Sequence, residues 1–203
     1  MWQLDHLAVA AATLAEGVAA VEAALGVRLG PGGVHPAMGT HNRLLGLGAC
    51  YLEVIAIDPA AAAPGRPRWF DLDHFAGPPR LSNWICRTDD LEAALAAAPA
   101  GLGVPEGLAR GAFRWRFAVP ASGRLPFDDT YPALIEWQGA AHPALLLPDA
   151  GCRLQRLQIA HPEALALRTL LGAQLADPRV QFVPGARALR AEIATPHGVR
   201  VLQ

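Results

Sequence analysis

An α+β fold of tandem βαβββ units, with curved mixed sheets around a cavity and the helices outside, is predicted by three observations. Short apolar runs of strand length alternate with stretches of helical spacing. The order β-α-β-β-β begins at Leu4 and begins again at Leu81. In each of these units an ionisable or amide residue interrupts an apolar strand, where burial is costly unless the group is paired, hydrogen-bonded or bound to a metal.

In the first unit, residues 3 to 9 read as a strand. Thr13 is placed as an N-cap with Glu16 at the capping-box position. Leu14, Val18, Val21 and Leu25 follow helical spacing, and Gly26 ends that helix. Val27-Arg28-Leu29 is expected as a short strand and Gly30 to Gly39 as a loop. Residues 40 to 47 and 50 to 57 are two further strands. A connector from 59 to 80 is rich in Ala, Pro, Gly and Arg, with Trp69-Phe70 expected to anchor it. The second unit has a strand at Leu81 to Cys86, a helix over 90 to 98, a weakly signalled strand, then Phe113 to Val119 and Ala133 to Trp137. The third begins at Leu154, carries a helix from Pro162 to Leu171, and ends in strands near 179–183, 187–194 and 198–202. The expected division is therefore 1–58, 59–80, 81–150 and 151–203, the last a degenerate unit packed on the same fold.

Bulk properties narrow the function. Hydrophobic residues make up 52% of the 203 and charged residues 17%, a balance that supports a folded core and argues against disorder. The formal net charge is -1, and lysine is absent. No basic tract points to nucleic acid or to an acidic membrane surface. Cys50, Cys86 and Cys152 are odd in number and form no CxxC, so buried thiols are expected rather than a disulfide framework or thiolate zinc site. The N-terminus lacks a basic region ahead of its apolar stretch, and no run reaches membrane-spanning length, so cytoplasm is the expected compartment. No GxSxG nucleophile motif occurs, and Gly30-Pro31-Gly32-Gly33 lacks the pattern and following helix of a phosphate loop.

The repeat aligns Leu4-Asp5-His6-Leu7 with Leu81-Ser82-Asn83-Trp84 and with Leu154-Gln155-Arg156-Leu157. It aligns Leu52-Glu53-Val54 with Ile135-Glu136-Trp137. Side chains alternate along a strand. Leu7, Val9, Leu52 and Val54 are then expected toward the helix, and His6, Glu53, Asn83 and Glu136 away from it. Converging, these four form an N/O donor set suited to a divalent ion such as Zn, Ni, Fe, Mn or Mg. Such an ion polarises a carbonyl, and a free carboxylate moves a proton. The competing readings are a core histidine bonded to backbone at His6, and carboxylates paired with Arg43, Arg114 or Arg116 at Glu53 and Glu136. His41 is a second imidazole or acid/base candidate, against a plain loop histidine. Arg114 and Arg116 share a strand face that suits an anionic substrate or a solvated surface. Trp84 and Trp137 are expected to pack in the core. His35, His142 and His161 each precede Pro and read as turn or cap residues.

Leu4-Asp5-His6-Leu7, Gly39-Thr40-His41-Asn42-Arg43-Leu44, Tyr51-Leu52-Glu53-Val54-Ile55-Ala56 and Leu134-Ile135-Glu136-Trp137 together resemble the glyoxalase-like branch of the vicinal-oxygen-chelate superfamily. The resemblance spans roughly residues 3 to 160. It implies paired βαβββ units cupped around a divalent metal, with ligands on the first and last strand of each unit. By that rule His6, Glu53 and Glu136 are the metal ligands. Beside the resemblance, the residues themselves put Glu136 and His41 forward as catalytic groups and Asn83, Arg114 and Arg116 toward substrate. Asn83 departs from the His or Gln more usual at its rank. The implied function is a lyase, isomerase or dioxygenase chelating adjacent substrate oxygens on the metal. The alternative is a metal-free sequestration protein of the bleomycin-resistance type. A small-molecule partner and a homodimer go with either.

Overall fold

The computed structural model describes residues 1–203. The first unit comprises β1 (Gln3–Ala10), α1 (Leu14–Leu25), β2 (Gly30–His35), β3 (Thr40–Gly46) and β4 (Tyr51–Ile57). A 3-10 segment, Trp69–His74, lies in the connector. The second unit comprises β5 (Arg80–Arg87), α2 (Leu91–Ala96), β6 (Val104–Arg110), β7 (Phe113–Val119), a short turn α3 (Pro126–Asp129) and β8 (Ala133–Trp137). After α4 (Pro143–Leu146) come β9 (Arg153–His161), α5 (Ala164–Gly172), β10 (Val180–Pro184), β11 (Ala188–Thr195) and β12 (Gly198–Leu202).

The first eight strands make one sheet in the order β2-β3-β4-β1-β5-β8-β7-β6. In each half the unit's first strand runs parallel to its last, β1 with β4 and β5 with β8. The halves join through the antiparallel β1–β5 pair at the centre. The sheet curls until its edge strands β2 and β6 approach each other, leaving a hollow on the concave side. The third stretch keeps the order βαβββ but pairs differently. Its first strand β9 runs parallel to its second, β10, in a separate sheet ordered β10-β9-β11-β12.

Local chemistry explains most elements. Thr13 accepts from the Glu16 N–H as the N-cap of α1, and Gly26 ends that helix at φ 73, a left-handed conformation that favours glycine. Asp90 caps α2 by accepting from the Ala93 N–H. Val21 and Leu25 of α1 are buried in one continuous core with Leu7, Val9, Leu52 and Val54. The three cysteines are free and buried. No helix is long and apolar enough to cross a membrane.

The strand expected at Val27 to Leu29 lies instead at Gly30–His35, inside the stretch read as a loop. It is an edge strand, where Pro31 is tolerated. Its glycines permit unusually close pairing: a Cβ on Gly32 would fall 1.8 Å from the Asn42 carbonyl oxygen. Periodicity has nothing to detect in a strand made largely of glycine.

Candidate active site

The concave hollow is floored by the first half of the sheet. His6 on β1, Asn42 on β3, Tyr51 and Glu53 on β4, and His35 at the end of β2 all face it. Its walls come from the second half, Trp115, Phe117, Ile135 and Trp137, and Arg110 reaches in from the end of β6. Trp69 and Phe70 cover it. The hollow is partly open to solvent, and its water-accessible space is about 30 Å³, room for a water or two.

Asp5 and His6 are neighbours in sequence, and a regular strand would send them to opposite faces. The β1–β5 register shifts between Leu4 and His6, a bulge that lets both side chains meet. His6 Nδ1–H donates to Asp5 Oδ1 at 2.5 Å, which leaves Nε2 facing Glu53 Oε2 at 3.6 Å. The ring stacks on Tyr51 with centroids 4.4 Å apart. Asp5, 0% exposed, also accepts at Oδ2 from Trp137 Nε1–H and His142 Nε2–H, each at 2.9 Å. Asn42 Nδ2 donates to Glu53 Oε1 at 2.6 Å, and its Oδ1 accepts from the Gly33 N–H at 2.8 Å.

This network sets the charges. Burial pushes the carboxyl of Asp5 up, but hydrogen bonds from His142 and His6 outweigh it and hold Asp5 well below the usual carboxylate range. Burial pushes His6 down, and bonds to Asp5 and Glu53 reverse that, raising it to about 9. Burial pushes Glu53 up, yet His6 and Asn42 bring it down to about 2. At neutral pH the pair is imidazolium and carboxylate. Burial drives His35 down to about 4, so it stays neutral. Its Nδ1–H then donates to Thr40 Oγ1, and its Nε2 accepts from Arg110.

The structure brings His6 and Glu53 together and leaves the other expected groups elsewhere. Glu136 lies on the outer face, where Oε2 accepts from the Leu91 N–H at the start of α2 and Oε1 pairs with Arg116 at 3.4 Å. Ile135 and Trp137 take the cavity face of β8. Matching Glu136 to Glu53 by residue type put the second unit one residue out of register, and one residue reverses every side chain. The β7–β8 register pairs Arg116 with Glu136 outside and Phe117 with Ile135 inside. Arg116 therefore bonds Glu92 and Glu136, and Arg114 bonds the carbonyls of Gly111 and Phe113. His41 alternates with Asn42 and so misses the cavity. Its Nε2 is buried without a partner.

Asn83 does share the concave side of His6, since Ala8 pairs with Asn83 and His6 with Ile85. It opens into a neighbouring hollow, however, with Ser82, Arg124 and Arg187. Phe70 lines both hollows. Trp137 belongs to the site rather than to the core alone. His142 is a cap, accepting from the Ala144 N–H, and also a support for Asp5.

A protein-held catalytic divalent ion generally needs three protein donors. Two donors, His6 Nε2 and Glu53, face this cavity, and the second half offers it Ile135 and Trp137. Nowhere in the chain do three His, Cys, Asp or Glu side chains gather as an ion would require. The residues present do not make a complete metal centre.

The curled sheet of paired βαβββ units is the fold that the resemblance implied, with the acidic and imidazole groups on one side of its cavity. A family model described as "Glyoxalase-like domain" matches residues 4–175, and the chain belongs to that family. No curated protein matches the sequence. Among solved structures, a hypothetical protein from Staphylococcus aureus aligns with TM-score 0.60 at 13% identity, covering 84% of this chain and 74% of that one, a likeness of fold alone. A hypothetical protein from Bacillus halodurans C-125 aligns with TM-score 0.44 at 14% identity, over 70% of this chain and 96% of that one. Methylmalonyl-CoA epimerase from Mycobacterium tuberculosis aligns with TM-score 0.42 at 19% identity, over 68% of this chain and 88% of that one.

Proposed function

We propose that the chain is a small-molecule enzyme of the glyoxalase-like type whose chemistry is proton transfer at His6 and Glu53. The observation that carries this reading is a buried imidazole fixed by Asp5 on one nitrogen and facing a carboxylate with the other. Glu53 stays ionised because it pairs with His6 and Asn42, so it is ready to accept a proton. A carboxylate held this low removes a carbon-bound proton only when the negative charge developing on the substrate is stabilised. His6 Nε2–H is placed to supply that stabilisation. The aromatic walls and cover exclude water, which strengthens both interactions. The small volume favours a compact reactant over a bulky sequestered ligand.

The test is solvent-deuterium exchange, followed by NMR, across a panel of small carbonyl compounds bearing an acidic C–H. Wild type is expected to exchange at least one of them. His6→Ala and Glu53→Gln are expected to lower that rate about 10²–10⁴-fold, and Glu136→Gln to leave it unchanged. Equal exchange by wild type and Glu53→Gln would overturn the reading.

A second reading keeps a divalent ion on His6 and Glu53 alone. The Asp5 bond to Nδ1 favours it, because metal-bound histidines are oriented in this way. Metal analysis of protein purified without chelators decides this. Metal bound by wild type and lost in His6→Ala supports it, and equal, negligible metal in both removes it.

A further inference from the structure

We propose that Arg110 holds the carboxylate of the substrate, so that the site takes a compact organic monocarboxylate. This rests on the reading of His6 and Glu53 as the reacting groups.

Arg110 ends β6, one edge of the curled sheet, and crosses the seam to β2, the other edge. Gly33 makes the crossing passable. A Cβ there would fall 2.6 Å from Arg110 Cδ and 3.2 Å from Nε. The glycine-rich strand, no phosphate loop, is thus the opening through which a guanidinium enters the cavity.

Once inside, the guanidinium lies 5.7 Å over the Phe113 ring and makes hydrogen bonds at one corner only. Nη1 donates to His35 Nε2 and to Asn42 Oδ1, each at 3.1 Å. Both acceptors are neutral, and no carboxylate lies within ion-pairing distance of Arg110. Nε and Nη2 have no acceptor in the chain. Their two parallel N–H bonds form the edge of the fork that matches a carboxylate. On the same sheet Arg87 and Arg116 pair with carboxylates, and Arg80 and Arg114 spend their guanidinium on backbone carbonyls.

Position and charge define the ligand further. The Asn42 amide bridges the two groups, with Oδ1 toward Arg110 and Nδ2 on Glu53. An anion on the free edge of Arg110, opposite the corner that meets Asn42, is therefore linked to the carboxylate that takes the proton through the guanidinium and one amide. Asp5 and Glu53 outnumber the imidazolium of His6, so once Arg110 is neutralised a second negative charge on the ligand is unfavourable, which selects a monoanion over a phosphate dianion. Trp115 and Trp137 offer flat walls to a planar or unsaturated body.

The experiment uses the full chain with acetate, glyoxylate and pyruvate as probes, each against its uncharged amide, by thermal shift and titration calorimetry. At least one carboxylate is expected to raise the melting midpoint while its amide does not. Arg110→Gln is expected to weaken that carboxylate about tenfold or more, Arg110→Lys to weaken it less, and Gly33→Ala to weaken it by displacing Arg110. Circular dichroism melts establish that each variant is folded. An arginine that merely staples the seam would show no preference for charge. Carboxylates that bind no better than their amides, or a folded Arg110→Gln protein with undiminished carboxylate affinity, would overturn the proposal. His6→Ala is expected to keep the carboxylate preference while losing proton exchange, which separates this inference from the reading of the reacting pair.

Discussion

The two halves of the eight-stranded sheet share an architecture and differ in chemistry. Both join their first and last strands in parallel and carry a helix on the outer face. Yet the half built from β1 to β4 supplies Asp5, His6, His35, Asn42 and Glu53, whereas the half built from β5 to β8 supplies Trp115, Phe117, Ile135 and Trp137, with Arg110 at its rim. The polar half holds charge that must be paired to stay buried. The apolar half keeps water away and so makes those pairings strong. A duplicated frame does not require a duplicated site.

The largest effect that would break this contrast is expected at Asp5, which supports His6 from the polar side. Asp5→Ala leaves a buried imidazole without its anchor and is expected to cost about 3–5 kcal/mol in urea unfolding. A loss well under this range would mean that the network is not closed. Trp137 joins the halves through its N–H bond to Asp5. Trp137→Phe keeps a ring but removes a donor to a charged acceptor, and about 1.5–3 kcal/mol is expected from the same measurement.

The pH dependence sharpens the contrast. His6 is raised from 6.5 to about 9 on folding. Its pairing therefore stabilises fully below about pH 6.5 and is lost as pH rises through 9. Glu53 is lowered from 4.5 to about 2, so its contribution is present above 4.5 and is lost as pH falls through 2. The stability difference between wild type and His6→Gln is expected to shrink between pH 6.5 and 9. The smallest effect is expected at Glu136, which touches only the outer face. Glu136→Gln should cost about 1 kcal/mol, through its bond to the Leu91 N–H.

Strand alternation made His6, Tyr51 and Glu53 legible in the sequence, because the first unit is regular where they lie. It does not extend to Glu136, a like residue type at an unlike position. The parity of β8 that continues the apolar face of Trp115 and Phe117 points to Ile135 and Trp137. Asp5 was hidden by a bulge, which alternation cannot see. Asn42 stands next to His41, and strand alternation turns only one of these two polar neighbours to the cavity. Arg110 and His35 reach the cavity because the sheet curls and its edges meet, a property of the whole sheet and of no local stretch. Two residues of the cover, Phe70 and Asp71, hold φ of 60 and 52, a left-handed backbone that their side chains do not announce.

The most direct test of the claim that the first half carries the reacting pair is a pH titration of the His6 ring nitrogens by NMR, in wild type, Glu53→Gln and Glu136→Gln. The ring is expected to titrate near 9 in wild type and in Glu136→Gln, and distinctly lower in Glu53→Gln. A ring that titrates at or below 6.5, or one that responds to Glu136 and ignores Glu53, would contradict it.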